Sequence, residues 1–217
     1  MANEIQQLRL GLQSLSLGYS DTQLLQLEAY LDLLERWNRA YNLTALKNRQ
    51  EWVSKHILDS LAIFPWIDRP RIIDVGTGAG FPGIPLAIFR PDSHIALLDS
   101  NGKKTRFLFQ VKTQLQLENV DIIESRVETY QPRDRYDQVV SRAFASLSEM
   151  VCKCGHILSA NGSYMAMKSA LVETEIAQME QQMPNKYSVM NIHDLIVPGI
   201  EGARVLVELQ PKQAVIV

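Results

Sequence analysis

From residue 74 the chain reads Asp74-Val-Gly76-Thr-Gly78-Ala-Gly80-Phe81-Pro-Gly83, and a second acid, Asp99, closes the apolar run Ile95-Ala-Leu-Leu98. Three glycines at alternate positions supply a turn that needs φ > 0, and they let the backbone approach a ligand closely. The helix expected next leaves free N–H groups facing the same ligand. Carboxylates ending two neighbouring strands can accept hydroxyl protons. Further on come Lys103, Ser125-Arg126-Val127-Glu128, Ser141-Arg142, Lys168 and Arg204. Acids suit sugar and base groups, and cations suit phosphates, so the first ligand class is nucleotide-like.

These residues need a scaffold that brings them to one edge. Ile72, Ile73 and Val75 predict a strand running into the glycine turn, followed by an apolar helix to Phe89 with Pro82 and Pro85 in its first turn. Strands are expected near 71–75, 94–98, 120–124, 136–141 and 162–167, with helices near 82–90, 103–117, 146–158 and 171–182. This alternation implies a parallel sheet covered on both faces. After Pro184 the pattern changes. Residues 186–194 and 203–210 read as strands joined by Pro198-Gly-Ile-Glu-Gly202, too short for a parallel crossover, so they should pair antiparallel. In open α/β sheets ligands lie beyond the carboxyl ends of the strands, where the acids and cations named above converge.

Residues 4–65 read as helical. Ser20-x-x-Gln23 forms a capping box before Leu24, Leu27, Leu31 and Leu34. Asn48-x-x-Glu51 opens a second helix with Val53, Ile57, Leu61 and Phe64 on one stripe, stopped by Pro65. His56 and Asp59 are three apart and could pair, the alternative being a structurally satisfied histidine. The expected division is a helical extension, 1–66, packed on a main domain, 67–217.

The glycine loop admits two readings. Gly78-Ala-Gly80-Phe-Pro-Gly83 fits the G-x-G-x-x-G of dinucleotide-binding folds, which would make the chain an NAD-dependent oxidoreductase. Read from Asp74, the same stretch resembles motif I of S-adenosylmethionine-dependent methyltransferases, where an acid ending the second strand, here Asp99, takes the ribose hydroxyls. A mainly parallel sheet ending in an antiparallel hairpin resembles the methyltransferase fold. A third possibility is a non-catalytic interaction protein whose helical segment docks a partner.

Composition narrows the field. The 217 residues carry 22 Lys and Arg against 24 Asp and Glu, a net charge of -2, so a strong non-specific nucleic-acid binder is not indicated. An RNA substrate would need a local basic patch or a prefolded particle. The two cysteines, Cys152 and Cys154, exclude a disulfide framework. Cys152 and His156 could share a helix face, but no further ligand is near and no metal is expected. The N-terminal residues lack a basic and an apolar region, and no apolar run reaches membrane length, so the expectation is a cytoplasmic protein with no membrane contact.

The residues after the fourth strand bear on the reaction. Methylation of an exocyclic base amine commonly uses Asn/Asp-Pro-Pro-aromatic there; this chain has Ser141-Arg-Ala-Phe-Ala145. Methylation of cytosine C5 needs a thiolate, and neither cysteine stands in a Pro-Cys loop. Purine N7 carries no proton, so its methylation needs alignment but no general base.

Taken together, Tyr41-Asn-Leu-Thr44, His56-Ile-Leu-Asp-Ser60, Asp74 to Pro85, Leu98-Asp-Ser100, Ser125-Arg-Val-Glu128 and Ser141 to Ala145 resemble the bacterial ribosomal RNA small subunit methyltransferase G family, also called glucose-inhibited division protein B. The resemblance runs over nearly the whole chain; Ala79 stands where the family often has Pro. It implies a class I, Rossmann-like methyltransferase fold and transfer of methyl from S-adenosylmethionine to guanine N7 in a decoding-region loop of 16S rRNA, with S-adenosylhomocysteine as product. It implies that Gly76 and Phe81 line the cofactor, that Val127 and Glu128 contact its adenine side, and that Arg142 lies beside the cofactor near the target base. Gly78 and Asp99 follow from the wider methyltransferase pattern. Lys103, Arg126, Lys168 and Arg204 are candidates for RNA or target-base contacts. The expected partner is 16S rRNA within a small ribosomal subunit or assembly intermediate, met by a monomer.

Overall fold

The computed structural model describes residues 2–169 and 172–212. Two helices come first, α1 (Ala2–Ser14) and α2 (Asp21–Tyr41). The capping box of α2 is formed in full: Ser20 accepts from the Gln23 amide while the Gln23 side chain accepts from the Ser20 amide. The helix ends at Asn42 in the left-handed region, φ 50°. Helix α3 (Arg49–Trp52), capped by Asn48 on the Gln50 amide, runs straight into a π-helical turn, Val53–Leu58, and then into α4 (Asp59–Leu61). Of the expected stripe, Val53, Ile57 and Leu61 are fully buried and Phe64 is half-buried. The π turn was not legible in the 3.6-residue spacing; such turns concentrate at functional sites.

The sheet has seven strands in the order β3-β2-β1-β4-β5-β7-β6. They are β1 (Arg71–Val75), β2 (His94–Asp99), β3 (Val120–Glu124), β4 (Tyr136–Ser141), β5 (Leu158–Ser169), β6 (Tyr187–Leu195) and β7 (Arg204–Pro211). The first five are parallel, whereas β7 pairs antiparallel with both β5 and β6. Helices α5 (Gly83–Phe89), α6 (Gly102–Leu115), α7 (Leu147–Cys154) and α8 (Val172–Gln182) connect or flank the strands; residue 171, the expected start of the last, lies outside the described residues.

Two elements differ from expectation. Strand β5 starts at Leu158, four residues early, because Tyr136 pairs with Leu158 before the register shifts to Gln138–Ser163. The intervening Ser159-Ala-Asn-Gly162 has no β-favouring side chain to reveal it. Helix α7 correspondingly stops at Cys154 instead of 158.

Strand alternation divides the core. Ile72, Ile95 and Leu97 face the N-terminal helices and join one apolar cluster with Leu27, Tyr30, Ile57 and Leu61. Ile73, Val75, Ala96 and Leu98 face the other side with Val151, Cys154 and Val172. Chain order reverses between β1 and β4, so the crevice at their carboxyl ends is the topological switch point where such sheets take ligands.

Candidate functional site

The glycine turn is pinned to the neighbouring strand, the amides of Gly76 and Thr77 both donating to the Leu98 carbonyl at 2.8 and 3.1 Å. Gly76 and Gly78 have φ of 71° and 64°. A Cβ on Gly76 would stand 2.6 Å from that of Ala143. Asp74 lies behind the turn, 1% exposed. Its Oδ2 accepts from the Thr77 hydroxyl at 2.7 Å and the Gly83 amide at 2.8 Å, tying the turn to the start of α5. Burial pushes its pKa up to about 6 against those hydrogen bonds.

Asp99 faces the crevice from the end of β2. Its Oδ2 accepts from the Gly78 amide at 2.9 Å and lies 3.3 Å from the Lys104 ammonium, and its Oδ1 accepts from the Asn101 amide at 2.9 Å. Together with Gly76, Val127, Glu128 and Phe144 it lines a cleft of about 440 Å³. Lys153 of α7 bridges Glu128 at 3.1 Å and Glu149 at 2.8 Å across the wall of this cleft. A bond to its own backbone, together with Lys153, holds the Glu128 carboxyl below its ordinary range.

A second cavity, about 330 Å³, is lined by Lys55, His56, Asp59, Arg142, Lys168 and Arg204, among others. Arg142 lines this cavity while Ala143 and Phe144, the next residues, line the first. The Arg142 guanidinium reaches Asp59 Oδ2 at 3.0 Å and lies 5.5 Å from the centre of the Phe81 ring. His56 stacks on Phe81 with ring centres 4.4 Å apart and meets the Thr44 hydroxyl at 2.8 Å. Burial and the Arg142 charge push its pKa down to about 4, so it is neutral near pH 7.

The profile of the GidB family, described as rRNA small subunit methyltransferase G, matches residues 23–204. The chain belongs to this family. It is 49% identical over 196 residues to the ribosomal RNA small subunit methyltransferase G of Saccharophagus degradans, covering 90% of this chain and 86% of that one. The Klebsiella pneumoniae protein of the same name is 45% identical over 212 residues, 98% and 99% of the two chains. Among solved structures, a ribosomal protein L11 methylase from Lactobacillus delbrueckii superposes with a TM-score of 0.56 at 15% identity, over 77% of this chain and 81% of that one. A Burkholderia thailandensis 1,6-didemethyltoxoflavin-N1-methyltransferase bound to S-adenosylhomocysteine gives 0.57 at 12% identity, over 86% and 90%. The fold is that of class I S-adenosylmethionine-dependent methyltransferases, and the dinucleotide reading of Gly78–Gly83 is set aside.

Most of the candidate positions divide between the two cavities. Gly76, Asp99, Arg126, Val127 and Glu128 line the first, with the Gly78 amide bonded to Asp99; Arg142, Lys168 and Arg204 line the second. Phe81 is 3% exposed and supports the loop from behind, between Tyr30 and His56. Lys103 points out of both cavities toward the Tyr41 ring, 6.0 Å away; Lys104, its neighbour, takes the place on Asp99. Lys168 is engaged, donating to the Phe144 carbonyl at 3.0 Å and pairing with Glu175 at 2.8 Å. Arg204 reaches the rim because its strand is antiparallel, opposite Ser169 in register.

The structure also settles smaller questions. His56 and Asp59 do not pair: each has its own partners, Thr44 for the first and Arg142 for the second. His156 bonds the Tyr130 carbonyl at 3.0 Å. Lys104, Lys153 and Asp59 in its pocket role were missed, since a helical lysine reads as a solvated charge until its neighbours are known. Among the described residues no cluster of His, Cys, Asp or Glu could hold a metal, and no helix is long and apolar enough to cross a membrane.

Proposed function

We propose that the chain transfers a methyl group from S-adenosylmethionine to N7 of a guanine in a decoding-region loop of 16S rRNA, acting as a monomer on a small ribosomal subunit or assembly intermediate. The observation that carries this reading is the pair of cavities divided by residues 142–144, one with nucleoside-binding features and one with a basic rim.

The first cavity fits the cofactor. Gly76 leaves room where a Cβ would collide with Ala143, and Gly78 and Asp99 present an amide and a carboxylate at one point. Asp99 would accept from the ribose hydroxyls, and Val127 and Glu128 would flank the adenine. When bound, the cofactor supplies a methyl group on a sulfonium, an electrophile needing no metal. The guanine N7 lone pair would take that methyl as the carbon–sulfur bond broke, the positive charge passing from sulfonium to purine. No proton leaves N7, so neither the neutral His56 nor Asp59 is needed as a base. Arg142 would hold the base at the boundary between the cavities, and Arg126 and Arg204 would meet RNA oxygens.

With a net charge of -2, affinity for RNA depends on this local set of cations and weakens as salt rises. The test is transfer of labelled methyl to small subunits from cells lacking the protein, with the product identified by mass. Recovery of 7-methylguanosine supports the reading, and another methylated nucleoside overturns it. Equal activity on short naked RNA would refute the subunit requirement, and light scattering of the free protein would test the monomer.

A further inference from the structure

Asp59 stands out within the second cavity. Its side chain is 7% exposed, and Oδ2 is held by Arg142, but the buried Oδ1 has no hydrogen-bond partner. Arg204 Nε lies 3.6 Å from Oδ1, an ion-pair distance that makes no hydrogen bond. A buried carboxylate oxygen left this way is costly and calls for an explanation. The remaining charged groups lining the cavity are cations, Lys55, Arg142, Lys168 and Arg204, and His56 is neutral. A lone acid on such a wall repels phosphate, so it does not serve the RNA backbone. What it can accept is a pair of adjacent N–H groups.

We infer that Asp59 reads the target base as guanine, its carboxylate accepting from N1–H and the N2 amino group on the Watson–Crick edge. This rests on the guanine-N7 reading above and adds a specificity residue to it. Guanine offers two neighbouring donors on that edge, whereas adenine turns the N1 lone pair toward the carboxylate and is repelled. The N7 edge lies on the opposite side of the purine, so a base gripped this way presents N7 away from Asp59 and from the Arg142 guanidinium bonded to it, toward the cofactor cleft. Arg204 gives way to admit it: its side chain is 37% exposed and its hydrogen bond to the Ala203 carbonyl is long, 3.3 Å. The residue that selects the base therefore comes from the N-terminal helical segment, set in place by the π turn that precedes it.

The experiment compares small subunits rebuilt around 16S rRNA carrying either guanine or inosine at the target position; inosine keeps N7 and N1–H but lacks the N2 amino group. Wild type should favour guanine over inosine in kcat/KM by roughly 10- to 100-fold. Asp59→Asn should lose activity on guanine by a similar factor and cease to distinguish the two bases, with binding of S-adenosylhomocysteine unchanged. Wild type that uses both bases alike overturns the inference without any variant, and so does Asp59→Asn that keeps the full preference. Wild type that methylates neither overturns the guanine-N7 reading itself.

Discussion

The hydroxyl of Tyr30 donates a 2.5 Å hydrogen bond to the carbonyl of Ala79, joining α2 to the glycine turn across 49 residues of sequence. Tyr30 is fully buried, its ring 5.3 Å from that of Phe81, and burial raises its pKa well above the usual tyrosine value. It is therefore a neutral donor near pH 7.

Tyr30→Phe keeps the ring and removes the donor. A buried carbonyl left without its partner costs about 1–2 kcal/mol, which for a chain of this size lowers Tm by roughly 2–8 °C. Because the bond ends on the turn, affinity for S-adenosylhomocysteine should fall by roughly 3- to 10-fold. Calorimetry reads both, and a lowered Tm with unchanged affinity would make the bond purely structural.

Gly76→Ala combines a left-handed backbone with a collision against Ala143. Strain of about 1–2 kcal/mol is expected, together with at least a roughly tenfold loss of cofactor affinity. Gly18→Ala is the control: nothing stands within 4 Å of its added carbon, and neither quantity should move. Isothermal titration of the two variants decides it.

The first cavity was legible because its signals are local: glycines at alternate positions, an acid at or near the end of each of two strands, and a hairpin too short to cross over. The second cavity was less so. Its members come from the π turn and α4, the segment after β4, the ends of β5 and β6 and the start of β7, and only tertiary packing brings them together. Lys103 and Lys104 show the limit well. Both follow the same strand, and helical phase alone sends one to Asp99 and the other to Tyr41. The π turn was invisible for a related reason, since its added residue leaves the apolar stripe intact on both sides.

Lys168→Met should slow methyl transfer through the loop it holds. Its side chain is 10% exposed, and its ammonium is shared between the Phe144 carbonyl and Glu175, which also caps the Leu147 amide. The rate should fall roughly tenfold or more, while the slope of log affinity against log salt stays put. Arg126→Ala, which removes an exposed charge at the rim, should instead reduce that slope by about one. Equal slope changes in the two would place Lys168 on the RNA.

His56 gives the stability a pH dependence with a definite sign. Its folded pKa of about 4 lies below the ordinary 6.5, so its contribution is complete above pH 6.5 and is lost as pH falls from 6.5 toward 4. The span is worth at most about 3 kcal/mol. Asp74 acts oppositely: with a folded pKa of about 6, its contribution is complete below about pH 4 and fades as pH rises to 6. Denaturant titrations between pH 7 and pH 5 should show less loss of stability on acidification in His56→Gln than in wild type. An unaltered profile would contradict the assignment to His56.

The apolar cluster shared by the N-terminal helices and the sheet extends from Leu8 to Leu206, and this bears on how the chain is made. The helices leave the ribosome well before the strand bearing Leu206. Until then Leu27, Tyr30 and Leu34 lack part of the surface that finally covers them, so the nascent chain is a natural client for a chaperone. Completion should then be abrupt, and the finished chain should melt in one transition.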